Sequence, residues 1–150
     1  METREILLKQ LNETILQLFG VYQNIVNPKM AVYEEWTAKD ILGHITFWHE
    51  SFARNVRDIV NDIKPTPLKG SYRDLNQRCL EEIKTQTVED VIKRLEVAHR
   101  IIQENILNVK VTVIPYKKGS RDYTPEEHLD VVNKHIKEHL RGIKKTSKDS

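Results

Sequence analysis

Three of the six histidines, at positions 128, 135 and 139, stand in one late segment, and their types and spacing could do chemistry. Separations of seven and four residues place His128, His135 and His139 on one face if the segment is helical. That face flanks the stripe of Leu129, Val132, Ile136 and Ile143, so the imidazoles border the core. His135 and His139, one turn apart, can share a divalent cation, but a third ligand has to come from elsewhere in the chain. His44 is the candidate. It flanks the apolar stripe of its own segment beside Trp48 and Ser51, with His49 on the opposite flank, so only one of these two histidines can face the pair. His44 lies about 10 Å from the start of its helix and His139 about 10 Å from the end of the last one, so antiparallel packing would bring them level. Three neutral imidazoles with an open position describe a catalytic site rather than a closed structural one, and zinc, nickel, iron or manganese could occupy it.

The other reactive side chains carry less. His128 is expected to pack on Tyr123, and His49 and His99 to sit on semi-polar flanks. The string HIKEH spells H-x-x-E-H with Glu138 as a base, but metalloproteases of that pattern need a further acidic ligand in a larger fold. Glu50 and Glu138 are left outside the site, Glu138 because it is one step off the His139 face. Cys79 reads as a small buried hydrophobe. Among the aromatic residues, Trp48 and Tyr116 are expected to line a pocket and the rest to fill the core.

The elements that must position these residues are helices. Ile6, Leu7, Leu11, Ile15, Leu18 and Phe19 predict a first helix near Thr3 to Phe19, with Gly20 and Pro28 bracketing its exit loop. Thr37 and Asp40 form a capping pair that opens a second helix running to about Asp62, with Ile41, Ile45, Trp48, Phe52, Val56 and Ile59 on its buried side. Pro65, Pro67 and Gly70 force a connection to a short helix from about Tyr72 to Lys84. Thr87 and Asp90 open another, which ends near Leu107. Val111 to Tyr123 read as a long loop with a short extended piece, placed to cover the site. Thr124, Pro125 and Glu127 start the last helix. The expectation is an all-α four-helix bundle with one short extra helix, a single domain over residues 1–145, and a polar tail over 146–150.

Composition narrows the functional classes. At 150 residues, with 39% hydrophobic and 31% charged residues, the chain suits one folded domain. A net charge of +2 with interleaved signs argues against nucleic acid, and the late cluster of Lys134, Lys137, Arg141, Lys144, Lys145 and Lys148 reads as a solvated helix end. One cysteine excludes an intrachain disulfide. No segment reads as a signal peptide or membrane span, so a cytoplasmic protein is expected, with no membrane partner.

The segment EEWTAKDILGHITFWHESF resembles the second helix of the DinB/YfiT-like superfamily, with its tryptophan, helix cap, lysine-aspartate pair and following histidine. HIKEHLRGI resembles that superfamily's final helix, and the likeness runs helix by helix along essentially the whole chain. The WHE after His44 and the short spacing to the end are most similar to the ClbS/DfsB-like branch. The resemblance implies an up-down-down-up bundle in which His44, His135 and His139 form a metal triad. Relatives include thiol-dependent transferases and isomerases, and a protective hydrolase that opens a strained ring in a genotoxin. The chain is therefore expected to be a metal-dependent hydrolase or transferase acting on a small molecule. Two alternatives stand beside it: metal-free ring opening or small-molecule binding, with an imidazole as base and Tyr116 or Tyr123 as acid, and a non-enzymatic bundle that pairs as a homodimer.

Overall fold

A computed structural model describes residues 2–25 and 27–149; the side chains of Lys148 and Asp149, and Ser150 of the expected tail, lie outside the described residues. Among the described residues there are five helices, α1 (Glu2–Gln23), α2 (Ala38–Val60), α3 (Tyr72–Ile83), α4 (Val88–Asn105) and α5 (Pro125–Asp149), and one antiparallel hairpin, β1 (Ala31–Tyr33) with β2 (Trp36–Thr37). The chain is mostly helical.

The helix starts follow from local hydrogen bonding. The first amides of a helix lack partners, and Thr37 and Thr87 each supply a hydroxyl to the third-position amide while Asp40 and Asp90 return a carboxylate to the cap amide. Thr124 and Glu127 make the same reciprocal pair at α5, at 2.9 and 3.1 Å. Ser71 caps α3 through the Asp74 amide. At the end of α2, Asp62 adopts φ 60, and the Ile63 amide turns back to the Asp58 carbonyl at 2.8 Å.

The apolar stripes meet in one core that includes Leu11, Leu18, Ile41, Phe52, Leu95 and Leu129. The most extensive helix pairings are α2 with α4 and α1 with α5, and α3 lies on α2. Polar links tie helix ends together. Arg4 at the start of α1 reaches Glu126 at the start of α5 (2.9 Å) and the Ile106 carbonyl at the end of α4 (3.1 Å). Tyr22, late in α1, gives its hydroxyl proton to the Ala38 carbonyl at the start of α2. Lys110, just past α4, meets Asp62, just past α2, at 3.0 Å.

Four expectations need correction. Gly20 does not end α1, which continues to Gln23 because Tyr22 buries its ring there at 4% exposure. Ile6 lies outside the core at 52% exposure, its place taken by Leu8 at 8%. The segment between α1 and α2 is not a plain loop but carries the hairpin, too short for strand periodicity to reveal. Finally, α5 runs on to Asp149 through most of the expected tail, where Ser147 faces the hairpin side and its hydroxyl lies 4.0 Å from the Met30 sulfur. The loop after α4 is pinned as expected of an extended piece: Ile114 and Tyr123 exchange backbone bonds of 2.7 and 3.0 Å, Lys118 donates to the Leu68 carbonyl (2.8 Å), and Asn55 donates to the Pro115 carbonyl (3.1 Å). No helix among the described residues is long and apolar enough to cross a membrane.

Candidate metal centre and its cavity

The fold brings His44 of α2 onto His135 and His139 of α5, with one ring nitrogen of each lying within 4.8 Å of the other two. His44 is buried, His139 half-buried and His135 at the surface. The three Nε2 atoms point at one another: His135 Nε2 lies 2.7 Å from His139 Nε2 and 3.3 Å from His44 Nε2. Of the two α2 histidines, it is His44 that faces the pair.

Neighbouring side chains determine what those nitrogens can offer. Trp48 Nε1 can only donate, and it lies 3.0 Å from Asn76 Oδ1, which fixes that atom as an acceptor. His44 Nδ1 is 3.1 Å from the same oxygen and must carry the proton, leaving His44 Nε2 bare. On the other side, Tyr33 at the tip of the hairpin sets its hydroxyl 3.2 Å from His139 Nδ1, and Trp36 lies against the His44 ring at a centroid distance of 4.7 Å. Burial, followed by the proximity of His135 and His139, lowers the His44 pKa to about 3, and burial lowers His139 to about 4. Both rings are neutral at pH 7. At most one proton can lie between His135 and His139, so the rings converge with more lone pairs than hydrogens, an arrangement that can hold a cation. Three imidazole nitrogens suit a borderline divalent metal; Asn76 holds His44 in the ligand tautomer, and Tyr33 is the outer partner of His139.

A cavity of about 270 Å³ opens beside the triad, with His44 and His135 in its wall. Both residues expected to line a pocket are there: Trp48 and Tyr116 stack with centroids 5.4 Å apart and planes 11° from parallel. The loop after α4 thus contributes a wall through Tyr116. Tyr72 and Asn76 of α3 also line it. No family model, no curated protein and no solved structure matches the chain.

The other three histidines, His49 and His99 of the expected semi-polar flanks and His128 expected beside Tyr123, are all buried. His49, His99 and His128 are 2%, 6% and 2% exposed, and His49 and His128 line the cavity. His128 does meet the Tyr123 ring, at 5.9 Å, but stacks more closely on Phe52, at 3.9 Å. Glu50 is taken up by Arg94 at 2.6 Å. Cys79 is buried, and that burial pushes its thiol pKa up to about 12, which removes it as a nucleophile. Sequence reasoning missed Tyr33, Asn76, His49 and His128. Asn76 directly follows the buried Leu75 on α3, and that flank position was its one available signal.

Proposed function

We propose that the protein is a small metal-dependent enzyme that binds a divalent cation at His44, His135 and His139 and acts on a small molecule in the adjoining cavity. The carrying observation is the convergence of three Nε2 atoms, two of them on rings whose Nδ1 is engaged by Asn76 and Tyr33. Zinc, nickel, iron or manganese suits this ligand set. His44, His135 and His139 would hold the ion, which would supply Lewis-acid chemistry, lowering the pKa of a water or activating a thiolate or carbonyl. A detoxifying hydrolase and a thiol transferase both fit that chemistry.

We read the architecture as an up-down-down-up four-helix bundle of the DinB/YfiT-like kind, in its ClbS/DfsB-like branch. Three contacts support this: Arg4 joins the starts of α1 and α5, Tyr22 joins the end of α1 to the start of α2, and Lys110 with Asp62 joins the ends of α2 and α4. Metal content of untagged protein, measured by inductively coupled plasma mass spectrometry, tests the function. Near-stoichiometric metal that is lost in both His135→Ala and His139→Ala is the expected result. No metal after incubation with zinc, nickel and manganese would overturn it and transfer the weight to acid-base chemistry on neutral imidazoles.

A further inference from the structure

A second set of histidines leads away from the triad. Asn12 Oδ1 receives Gln103 Nε2 at 3.0 Å and His99 Nε2 at 2.7 Å. An amide oxygen only accepts, so His99 carries its proton on Nε2 and its Nδ1 is bare. His49 Nε2 lies 3.0 Å from that Nδ1 and must donate to it. The neutral His49 ring therefore has one remaining function, a bare acceptor at Nδ1. Among the described residues no hydrogen-bond donor meets this atom, and it is not one of the buried polar atoms sealed from open space. His49 is 2% exposed and lines the cavity, which is therefore the open space that its bare Nδ1 can meet.

The position of His49 gives the cavity two poles. Along α2 it lies about 7.5 Å beyond His44, and along α5 His128 lies about 10 Å before His135, so both cavity histidines stand away from the triad. The wall includes the Trp48 and Tyr116 stack and Val131, Val132 and Ile136 of α5, and no Asp, Glu, Lys or Arg lines it among the described residues. A charged group placed there would lose its hydration without a counter-charge.

We propose that this cavity binds an uncharged, largely apolar small molecule that donates one O–H or N–H to His49 Nδ1 while its other end lies at the triad. The proposal rests on the reading that triad and cavity serve one substrate, and it specifies the chemistry of that substrate.

Phenol, anisole and benzoate are suitable probes, titrated into the full-length chain held metal-free with a chelator and followed by amide and indole NMR shifts. Phenol should bind about tenfold more tightly than anisole, which lacks the donor, as one hydrogen bond predicts, and benzoate should bind more weakly still. His49→Phe keeps a ring of similar size in the wall and removes the Nδ1 acceptor, together with the bond to His99. This variant should fold and bind phenol and anisole equally. The proposal is overturned if none of the probes binds, if wild type does not distinguish phenol from anisole, or if His49→Phe keeps the preference. His139→Ala, which disables the triad at a residue outside the cavity lining, should retain the phenol preference. Failure of metal loading and failure of ligand recognition are thereby read separately.

Discussion

Asn76 decides the tautomer of His44 before any ion arrives. Its Oδ1 accepts from both Trp48 and His44, so the His44 proton is held on Nδ1 and Nε2 faces the triad. Asn76→Leu removes both bonds and frees the ring to rotate or to take the other tautomer. Metal affinity should fall by about 10- to 100-fold, the usual loss when the outer partner of a ligating histidine is removed. Competition with a chromophoric chelator measures it, and an affinity within twofold of wild type would show that Asn76 only packs. Tyr33 acts at a more accessible site, its side chain being 39% exposed. Tyr33→Phe deletes one bond to His139 and leaves the ring in place, so a smaller loss is expected, below about tenfold, with the urea midpoint unchanged.

Helices hold these residues in register through two glycines. Gly43 precedes His44, and a Cβ built on it would lie 2.3 Å from Ile83 Cδ1, so α3 approaches α2 closely only because this position has no side chain. Gly43→Ala should cost about 1–3 kcal/mol by overpacking and move Asn76 away from His44, lowering metal affinity in the same variant; chemical denaturation and metal titration together check it. A Cβ on Gly142 would lie 2.9 Å from the Tyr33 hydroxyl, so α5 leaves room there for the hairpin. The features legible in the sequence were those that repeat locally. The Thr37, Thr87 and Thr124 pairs marked helix starts because capping is a three-residue interaction, and the His135 and His139 spacing is one turn of one helix. The stripe on α2 placed Trp48 toward the site for the same reason. The hairpin was not legible: its strands are three and two residues long, too short for alternation, and Tyr33 reaches His139 only through tertiary packing. His49 and His99 read as flank residues because helical phase places a ring near an edge but cannot say what another helix brings against it.

At the scale of the molecule, burying so many imidazoles couples folding to protons. His44 is lowered to about 3, His99 and His128 to about 4, and His49 well below its ordinary value, burial being the largest cause for each. In the unfolded chain these rings titrate near pH 6.5. Below that pH the unfolded state binds protons that the folded state refuses, so stability is fully present above about pH 6.5 and is lost as pH falls toward the folded values. Each well-buried ring should remove about 2 kcal/mol between pH 7 and pH 5, and several together approach the whole stability of a domain. His128 isolates one share of this effect. Its Nδ1 is buried without a hydrogen-bond partner among the described residues, and its ring stacks on Phe52. His128→Phe keeps the stack and removes both the unpartnered nitrogen and the titrating group. Urea unfolding with a chelator present should find the variant at least as stable as wild type at pH 7 and about 2 kcal/mol more stable relative to wild type at pH 5. An equal loss in both proteins between the two pH values would mean that His128 takes up its proton in the fold as readily as in the unfolded chain, and that the cavity wall it forms carries charge at pH 5.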